Sequence, residues 1–125
     1  MENFYQDRTI KSPLIKGDCR TGEILIHGRS YPENAVEFYG PFLAWFEELK
    51  SQNLEAIRLR FDLEYFNTSS AGILFDFIEK VASFRENTDV KITWCYEEDD
   101  LEMAVKGKSL QANFEDLFIL EEKKV

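Results

Sequence analysis

Three consecutive hydroxyl side chains, Thr68, Ser69 and Ser70, stand out as a group that could carry chemistry. They follow Asn67 and lie where a stretch of alternating polar and apolar residues gives way to one with helical spacing. Residues of these types favour the N-cap position, where a side-chain oxygen accepts a hydrogen bond from a free N–H group of the helix. The same N–H groups and the positive end of the helix dipole also accommodate a phosphoryl group. The segment therefore predicts either a simple helix cap or a phosphorylation site.

An acid–base site is the alternative that other reactive residues offer. His27 is the only histidine, and Asp62 and Glu64 share one face of a predicted strand. A small enzyme using these groups would have to enclose them in a deep pocket that excludes water. The default interpretation is structural, because the two acids alternate with Arg58 and Arg60 in a way that is typical of ion pairs on a solvated sheet. No catalytic residue is predicted.

The sequence contains no pattern for a metal or cofactor site. The acidic run of residues 97–100 lacks the glycine-containing loop of a calcium site, and we expect it to place favourable charge at the start of a helix. Cys19 and Cys95 have neither disulfide nor metal-ligand spacing, which predicts free thiols in a reducing cytoplasm. We therefore expect no metal and no cofactor.

Two stretches of strict alternation predict the strands that position the reactive residues. Apolar residues recur at every second position in residues 56–65, and "VKITWCY" at 90–96 repeats the pattern. Such strands have one buried and one solvated face, whereas the strands of a three-layer parallel sheet are apolar on both. The sequence predicts an α/β fold of the two-layer α+β type, in which helices cover mainly one face of a mixed sheet. On the buried face of the first strand we expect Ile57, Leu59, Phe61, Leu63 and Tyr65.

The other elements complete the order ββαβαβαβ within a single domain, residues 1–125. Residues 13–28 predict a hairpin that turns at Gly22. A core-facing helix then begins at Pro32, and Pro41 is expected to kink or split it. The apolar stripe of this helix comprises Phe38, Phe42, Trp45, Phe46 and Leu49. Two further helices are expected at about 69–84 and 99–108, and the last strand is expected at about 117–120.

The composition excludes several classes of protein. A net charge of −9 and a pI near 4.6 oppose binding to a phosphate backbone, so we expect no nucleic-acid partner. No apolar run approaches the length of a membrane span, and the acidic, polar N-terminus does not predict a signal peptide. With 44% hydrophobic residues the chain can bury a core, and its partner is expected to be a protein or a small molecule.

Two motifs in register resemble the SiaC-type regulatory phosphoproteins, small bacterial proteins with a fold akin to the STAS domain of anti-sigma-factor antagonists. The first motif is "GRSYPENAVEFYGPFLAWFEEL" at residues 28–49. The second is "YFNTSSA" at residues 65–71, directly after the central strand. The resemblance covers essentially the whole chain. It implies a STAS-like fold and a regulatory role without catalysis.

The resemblance also implies a phosphorylation switch. The threonine of the Asn-Thr-Ser-Ser motif, here Thr68, would be phosphorylated by a GHKL-type kinase and restored by a metal-dependent PP2C-like phosphatase. The unphosphorylated form would bind and activate a diguanylate cyclase or another effector, which links the switch to cyclic-di-GMP signalling and biofilm formation. One departure concerns Asn67, because the anti-sigma antagonists carry Asp at this position. The residues expected to cap the helix or contact a partner are Asn67, Ser69, Ser70, Tyr31 and Tyr39.

Two other functions stay open on the sequence alone. A constitutive adaptor would use Thr68 only as a helix cap, and its binding would be indifferent to phosphorylation. A small acid–base enzyme would use His27, Asp62 and Glu64. An enclosed pocket around these three side chains would distinguish the enzyme from the switch.

Overall fold

A six-stranded mixed sheet organises the chain, and the computed structural model describes all 125 residues. The strands follow chain order across the sheet; the first two pairings are antiparallel and the last three parallel. This architecture confirms the predicted mixed α/β fold. The strands are β1 (Phe4–Gln6), β2 (Leu14–Gly17), β3 (Glu23–Ser30), β4 (Ala56–Phe66), β5 (Asp89–Glu97) and β6 (Phe118–Lys123), and the helices are α1 (Ala35–Leu49), α2 (Thr68–Ala82) and α3 (Leu101–Asn113).

All three helices contribute to one continuous core on one face of the sheet. Phe42 of α1 packs against Phe77 of α2 with ring centroids 5.0 Å apart. On α3, the backbone carbonyl of Met103 accepts a hydrogen bond from the indole Nε1 of Trp94 at 3.1 Å. The opposite face of the sheet carries ion pairs instead, including Arg60 with Glu121 and Asp62 with Lys123. The alternation of the strands is therefore explained by a two-layer arrangement.

The first strand, β1, was not predicted. It has only three residues and pairs with β2 in antiparallel register. The aromatic ring of Phe4 lies 5.5 Å from that of Phe42, and Trp45 donates a hydrogen bond from Nε1 to the carbonyl of Glu2 at 2.8 Å. Long-range packing thus forms this strand, since three residues are too few to show a periodicity.

The buried alternation of β4 breaks near its end. The apolar side chains up to Leu63 are buried, but Tyr65 is 51% exposed and Phe66 occupies the core in its place. The pairing with β3 skips Glu64, because Leu63 and Tyr65 face consecutive β3 residues. One extra residue in a strand reverses the facing of the residues after it. The prediction of a buried Tyr65 was therefore wrong.

Helix α1 begins three residues later than predicted. Asn34, not Pro32, sets its start: the Asn34 side chain accepts a hydrogen bond from the backbone N–H of Glu37 at 3.1 Å. Asn is a strong N-cap residue, and its side chain satisfies one of the N–H groups in the first turn that have no carbonyl partner within the helix. Pro41 lies inside one continuous helix and does not split it.

Candidate functional site

The residues Asn67–Ser70, which we call the hydroxyl turn, join the carboxyl end of β4 to the first turn of α2. Asn67 has an extended backbone (φ −85°, ψ 174°), and its side-chain oxygen accepts a hydrogen bond from the N–H of Ser70 at 2.9 Å. Its backbone carbonyl accepts the N–H of Ala71 at 2.9 Å. The asparagine is thus the N-cap of α2. The hydroxyls that follow it are not needed for capping.

The three hydroxyls differ in accessibility. Thr68 is the first residue of α2 and is exposed, as is Ser69. Ser70 is fully buried, with 0% of its surface exposed. An enzyme acting on the folded protein could reach Thr68 and Ser69 but not Ser70. Ser70 was expected to cap the helix or contact a partner; its burial leaves it no surface for a partner, and the cap is Asn67.

The start of α2 carries no negative charge. Its first turn contains no acidic residue, whereas the first turns of α1 and α3 contain Glu37 and Glu102. The cap of α3 is the carboxylate of Asp100, while the cap of α2 is the neutral Asn67. The positive end of the α2 dipole is therefore uncompensated, in a chain whose net charge is −9. A phosphoryl group at this position would meet favourable electrostatics.

A buried chain of hydroxyls lies beneath the hydroxyl turn. Ser30, at the end of β3, donates a hydrogen bond to the hydroxyl of Ser70 at 2.8 Å. The Ser30 hydroxyl also lies 2.6 Å from that of Tyr39. Burial raises the pKa of Tyr39 to about 12, so its hydroxyl stays protonated at neutral pH. Tyr39 is only 1% exposed, which makes the expectation that it faces a partner wrong.

Sequence reasoning missed Ser30, although a signal for it exists. The inward positions of β3 are every second residue, including Ile24 and Ile26, and Ser30 falls in the same buried register. A polar residue in a buried register needs a hydrogen-bond partner. The partner itself is not evident from the sequence, because Ser70 lies 40 residues further along the chain.

An exposed aromatic pair lies beside the hydroxyl turn. Tyr31 is partly exposed and packs edge-on against Tyr65, with ring centroids 5.9 Å apart. Tyr65, turned outward by the bulge in β4, lies three residues before Thr68 in the chain. Tyrosine is well suited to contact a partner because it combines apolar area with a polar hydroxyl. Tyr31 is thus on the surface, where the sequence places a contact residue.

The acid–base candidates lie among the charged side chains of the uncovered face of the sheet. His27 Nε2 lies 3.7 Å from Asp62 Oδ2, while the other oxygen of Asp62 contacts Lys123. Glu64 pairs separately with Arg29 at 2.9 Å. The side chains of His27 and Glu64 are 43% and 48% exposed. The three residues share no enclosed pocket, which is the feature that an acid–base enzyme requires.

The other reactive groups of the chain do not converge on a site. No group of three or more potential ligands is close enough to hold a metal ion. Both cysteines are free and buried, and burial raises the pKa of the Cys95 thiol to about 12. None of the helices combines the length and the apolar character that crossing a bilayer demands.

Comparison with known proteins decides the family. A family model described as "SiaC family regulatory phosphoprotein" matches residues 6–122. The chain belongs to the SiaC family. The resemblance read from the two sequence motifs is therefore confirmed. A curated relative, an uncharacterized protein of Pseudomonas aeruginosa strain UCBPP-PA14, is 29% identical over 98 residues, which are 78% of each chain.

Solved structures of SiaC from Pseudomonas aeruginosa share the fold of this family member. The crystal structure of apo-SiaC is 25% identical, with a TM-score of 0.85 over 97% of this chain and 99% of that one. A second SiaC structure is 26% identical, with a TM-score of 0.81 over the whole of both chains. In a third, SiaC is bound as activator to the diguanylate cyclase SiaD; it is 24% identical, with a TM-score of 0.88 over 96% of this chain and 99% of that one.

Proposed function

We propose that this SiaC-family protein is a protein-binding switch controlled by phosphorylation of Thr68. The unphosphorylated form binds and activates a partner such as a diguanylate cyclase. A GHKL-type kinase turns binding off, and a PP2C-like phosphatase restores it. The protein itself catalyses no reaction. The family assignment and the activator role of the related SiaC support this proposal.

The observation that carries the proposal is that a residue other than Thr68 caps α2. Asn67 is the N-cap of α2, so the exposed hydroxyl of Thr68 is not needed to cap the helix. The first turn of α2 has no acidic residue that would repel a phosphoryl group. This arrangement argues against an adaptor in which Thr68 is only a cap. It also favours Thr68, at the first position of the helix, as the acceptor.

The surface around Thr68 suits a partner when it is unmodified. Gly72 lies one helical turn after Thr68, and a Cβ at this position would meet no other atom within 4 Å. The exposed Tyr65 adds apolar area beside the turn. A second chain can therefore approach the backbone of α2 closely and cover a neutral, partly apolar surface.

Phosphorylation would oppose this docking through desolvation. A phosphoryl group adds a charge of about −1.5 to −2 at neutral pH. The start of α2 tolerates the charge while it is hydrated, but a docked partner would have to bury it without a counter-charge. Burying an unpaired charge costs several kcal/mol, which corresponds to a loss of affinity of about a hundredfold or more.

The two free cysteines are consistent with a reducing, cytoplasmic compartment for the switch.

Site mapping of the protein purified from its native cells tests the proposal. We expect a species heavier by about 80 Da, one phosphoryl group, that phosphatase treatment removes and that maps to Thr68. Thr68→Ala should abolish this species, whereas the neighbouring exposed control Ser69→Ala should retain it. Unmodified protein in both attached and free-swimming cells would contradict the switch and return Thr68 to the role of an ordinary helix residue.

A further inference from the structure

Ser30 contacts both ends of the hydroxyl turn. Its backbone carbonyl accepts a hydrogen bond from the N–H of Asn67 at 2.9 Å, and its hydroxyl donates one to Ser70 Oγ at 2.8 Å. Thr68 and Ser69 lie between these two attachments. Ser30 is 0% exposed, so water does not compete for either bond. One buried residue thus fixes the backbone before Thr68 and the side chain after it.

Tyr39 in turn orients the Ser30 hydroxyl. The two hydroxyl oxygens are 2.6 Å apart. A serine hydroxyl has one proton, and Ser30 gives it to Ser70, so Tyr39 is the donor in this contact. Because Tyr39 belongs to α1, the chain of hydrogen bonds links α1, the end of β3 and the first turn of α2.

The hydrogen-bonded hydroxyls of Tyr39, Ser30 and Ser70 form a polar network inside an otherwise apolar core. The buried polar residues are Ser12, Ser30 and Ser70, and the remaining buried residues are hydrophobic side chains, glycines and one proline. A buried hydroxyl without a partner costs about 1–3 kcal/mol, so each member of the network requires the others. Hydrogen bonds also impose direction, which apolar packing of the same volume does not. The network therefore specifies one arrangement of the hydroxyl turn against β3 and α1.

We propose that Ser30, oriented by Tyr39, is a positioning residue for phosphorylation of Thr68. The proposal rests on the proposed function, because it requires Thr68 to be the acceptor. In the transfer, the Thr68 hydroxyl oxygen forms a bond to the γ-phosphorus of ATP, the bond from that phosphorus to the β,γ-bridging oxygen breaks, and ADP leaves. The hydroxyl proton passes to a base of the kinase. Such an in-line reaction depends on the orientation of the attacking oxygen, and the network holds the turn that presents it.

Three variants separate positioning from general stability. Ser30→Ala removes the hydroxyl and keeps the backbone bond to Asn67. Tyr39→Phe is a milder variant, because it leaves Ser30 and Ser70 paired. Val81→Ala, at the other end of α2, serves as the control, since it disturbs a fully buried position away from the turn. All three are compared as full-length proteins.

Native-state hydrogen exchange provides the first readout. In Ser30→Ala we expect the amides of Ser70 and Ala71 to exchange about tenfold faster relative to the amides in the last turns of α2, as for the loss of one hydrogen bond. Tyr39→Phe should shift this ratio in the same direction by less. Val81→Ala should not raise it. An unchanged ratio in both network variants would overturn the proposal.

Phosphorylation kinetics provide the second readout. With ATP and a GHKL-type kinase that acts on the wild-type chain, Ser30→Ala should lower kcat about tenfold. KM should change less than about twofold, because the exposed surface is unaltered. An equal loss of kcat in Val81→Ala would show that only stability matters and would overturn the proposal. If the wild type accepts no phosphate at Thr68, the proposed function fails; if the network variants accept it at the wild-type rate, this proposal alone fails.

Discussion

Two glycines inside helices should respond in opposite directions to the same substitution. At Gly72 in α2, an added Cβ would meet no other atom within 4 Å. At Gly107 in α3, it would lie 2.6 Å from Cδ1 of Trp94 and 2.8 Å from Cδ2 of Leu120. Neither glycine has a positive φ, so alanine is compatible with both backbones. Only packing distinguishes the two sites.

The expected magnitudes follow from these distances. Gly72→Ala should raise the free energy of unfolding by about 1 kcal/mol, the difference in helix propensity, and raise Tm by about 4 °C for a chain of this length. Gly107→Ala gains the same propensity but adds about 1–3 kcal/mol of overpacking. Trp94 is 1% exposed and cannot move aside easily. We therefore expect overpacking near the top of this range, a net loss of about 2 kcal/mol, and a Tm lower by about 8 °C.

Thermal and urea unfolding followed by far-ultraviolet circular dichroism measure both changes. Gly40→Ala in α1 is a contrasting control: its added Cβ also meets nothing within 4 Å beyond its chain neighbours, but Gly40 precedes Pro41, whose ring disfavours a helical residue with a Cβ before it. Gly40→Ala should therefore stabilise the protein less than Gly72→Ala does. A stabilising Gly107→Ala would refute the packing of α3 on Trp94, and a destabilising Gly72→Ala would refute the open surface assigned to α2.

The same Gly72→Ala variant probes the partner surface. If a diguanylate cyclase approaches the backbone of α2 beside Thr68, the added methyl group should lower affinity about tenfold, in the range of overpacking at a tight contact. Stability and binding would then change in opposite directions. A variant that is more stable and binds the cyclase with full affinity would show that the partner does not approach α2 closely at this residue.

Three further outcomes follow from the local structure. Thr68→Asp should raise the free energy of unfolding by about 0.5 kcal/mol in low salt by compensating the dipole of α2, and a gain that persists in 1 M NaCl would refute this cause. Asn67→Ala should lower the free energy of unfolding by about 1 kcal/mol through loss of the cap, which urea unfolding would measure. An unchanged free energy of unfolding would mean that another group caps α2. Because burial raises the pKa of Tyr39 to about 12, its contribution to stability is fully present below pH 10 and is lost as pH rises to 12. Urea titrations should therefore show a smaller alkaline loss in Tyr39→Phe than in the wild type, and equal losses would contradict the burial of this hydroxyl.

Periodicity was sufficient to predict the fold class and most elements. The alternation in β4 and β5 and the apolar stripe of α1 each report burial on one side, and together they indicate helices on one face of the sheet. The turn at Gly22 was also correctly expected, since its φ is 78°. These are local signals, which a single sequence contains in full.

The predictions were wrong where residues distant in the chain determine which side chains are buried. Tyr65 faces outward because the pairing of β4 with β3 skips a residue, which the alternation within β4 does not reveal. Tyr39 and Ser70 are buried because both belong to a network around Ser30, 9 and 40 residues away in the chain. The role of Thr68 as a phosphate acceptor stays a prediction, because chemistry at an exposed hydroxyl depends on the enzyme that meets it.

The most direct test of the switch compares the affinity of three forms of the protein for a diguanylate cyclase of the same organism. Isothermal titration calorimetry would be performed on the unphosphorylated protein, on protein phosphorylated at Thr68, and on the latter after phosphatase treatment. We predict that the first and third forms bind equally and raise cyclase turnover, while the phosphorylated form binds at least about a hundredfold more weakly. Equal affinity of all three forms would contradict the account.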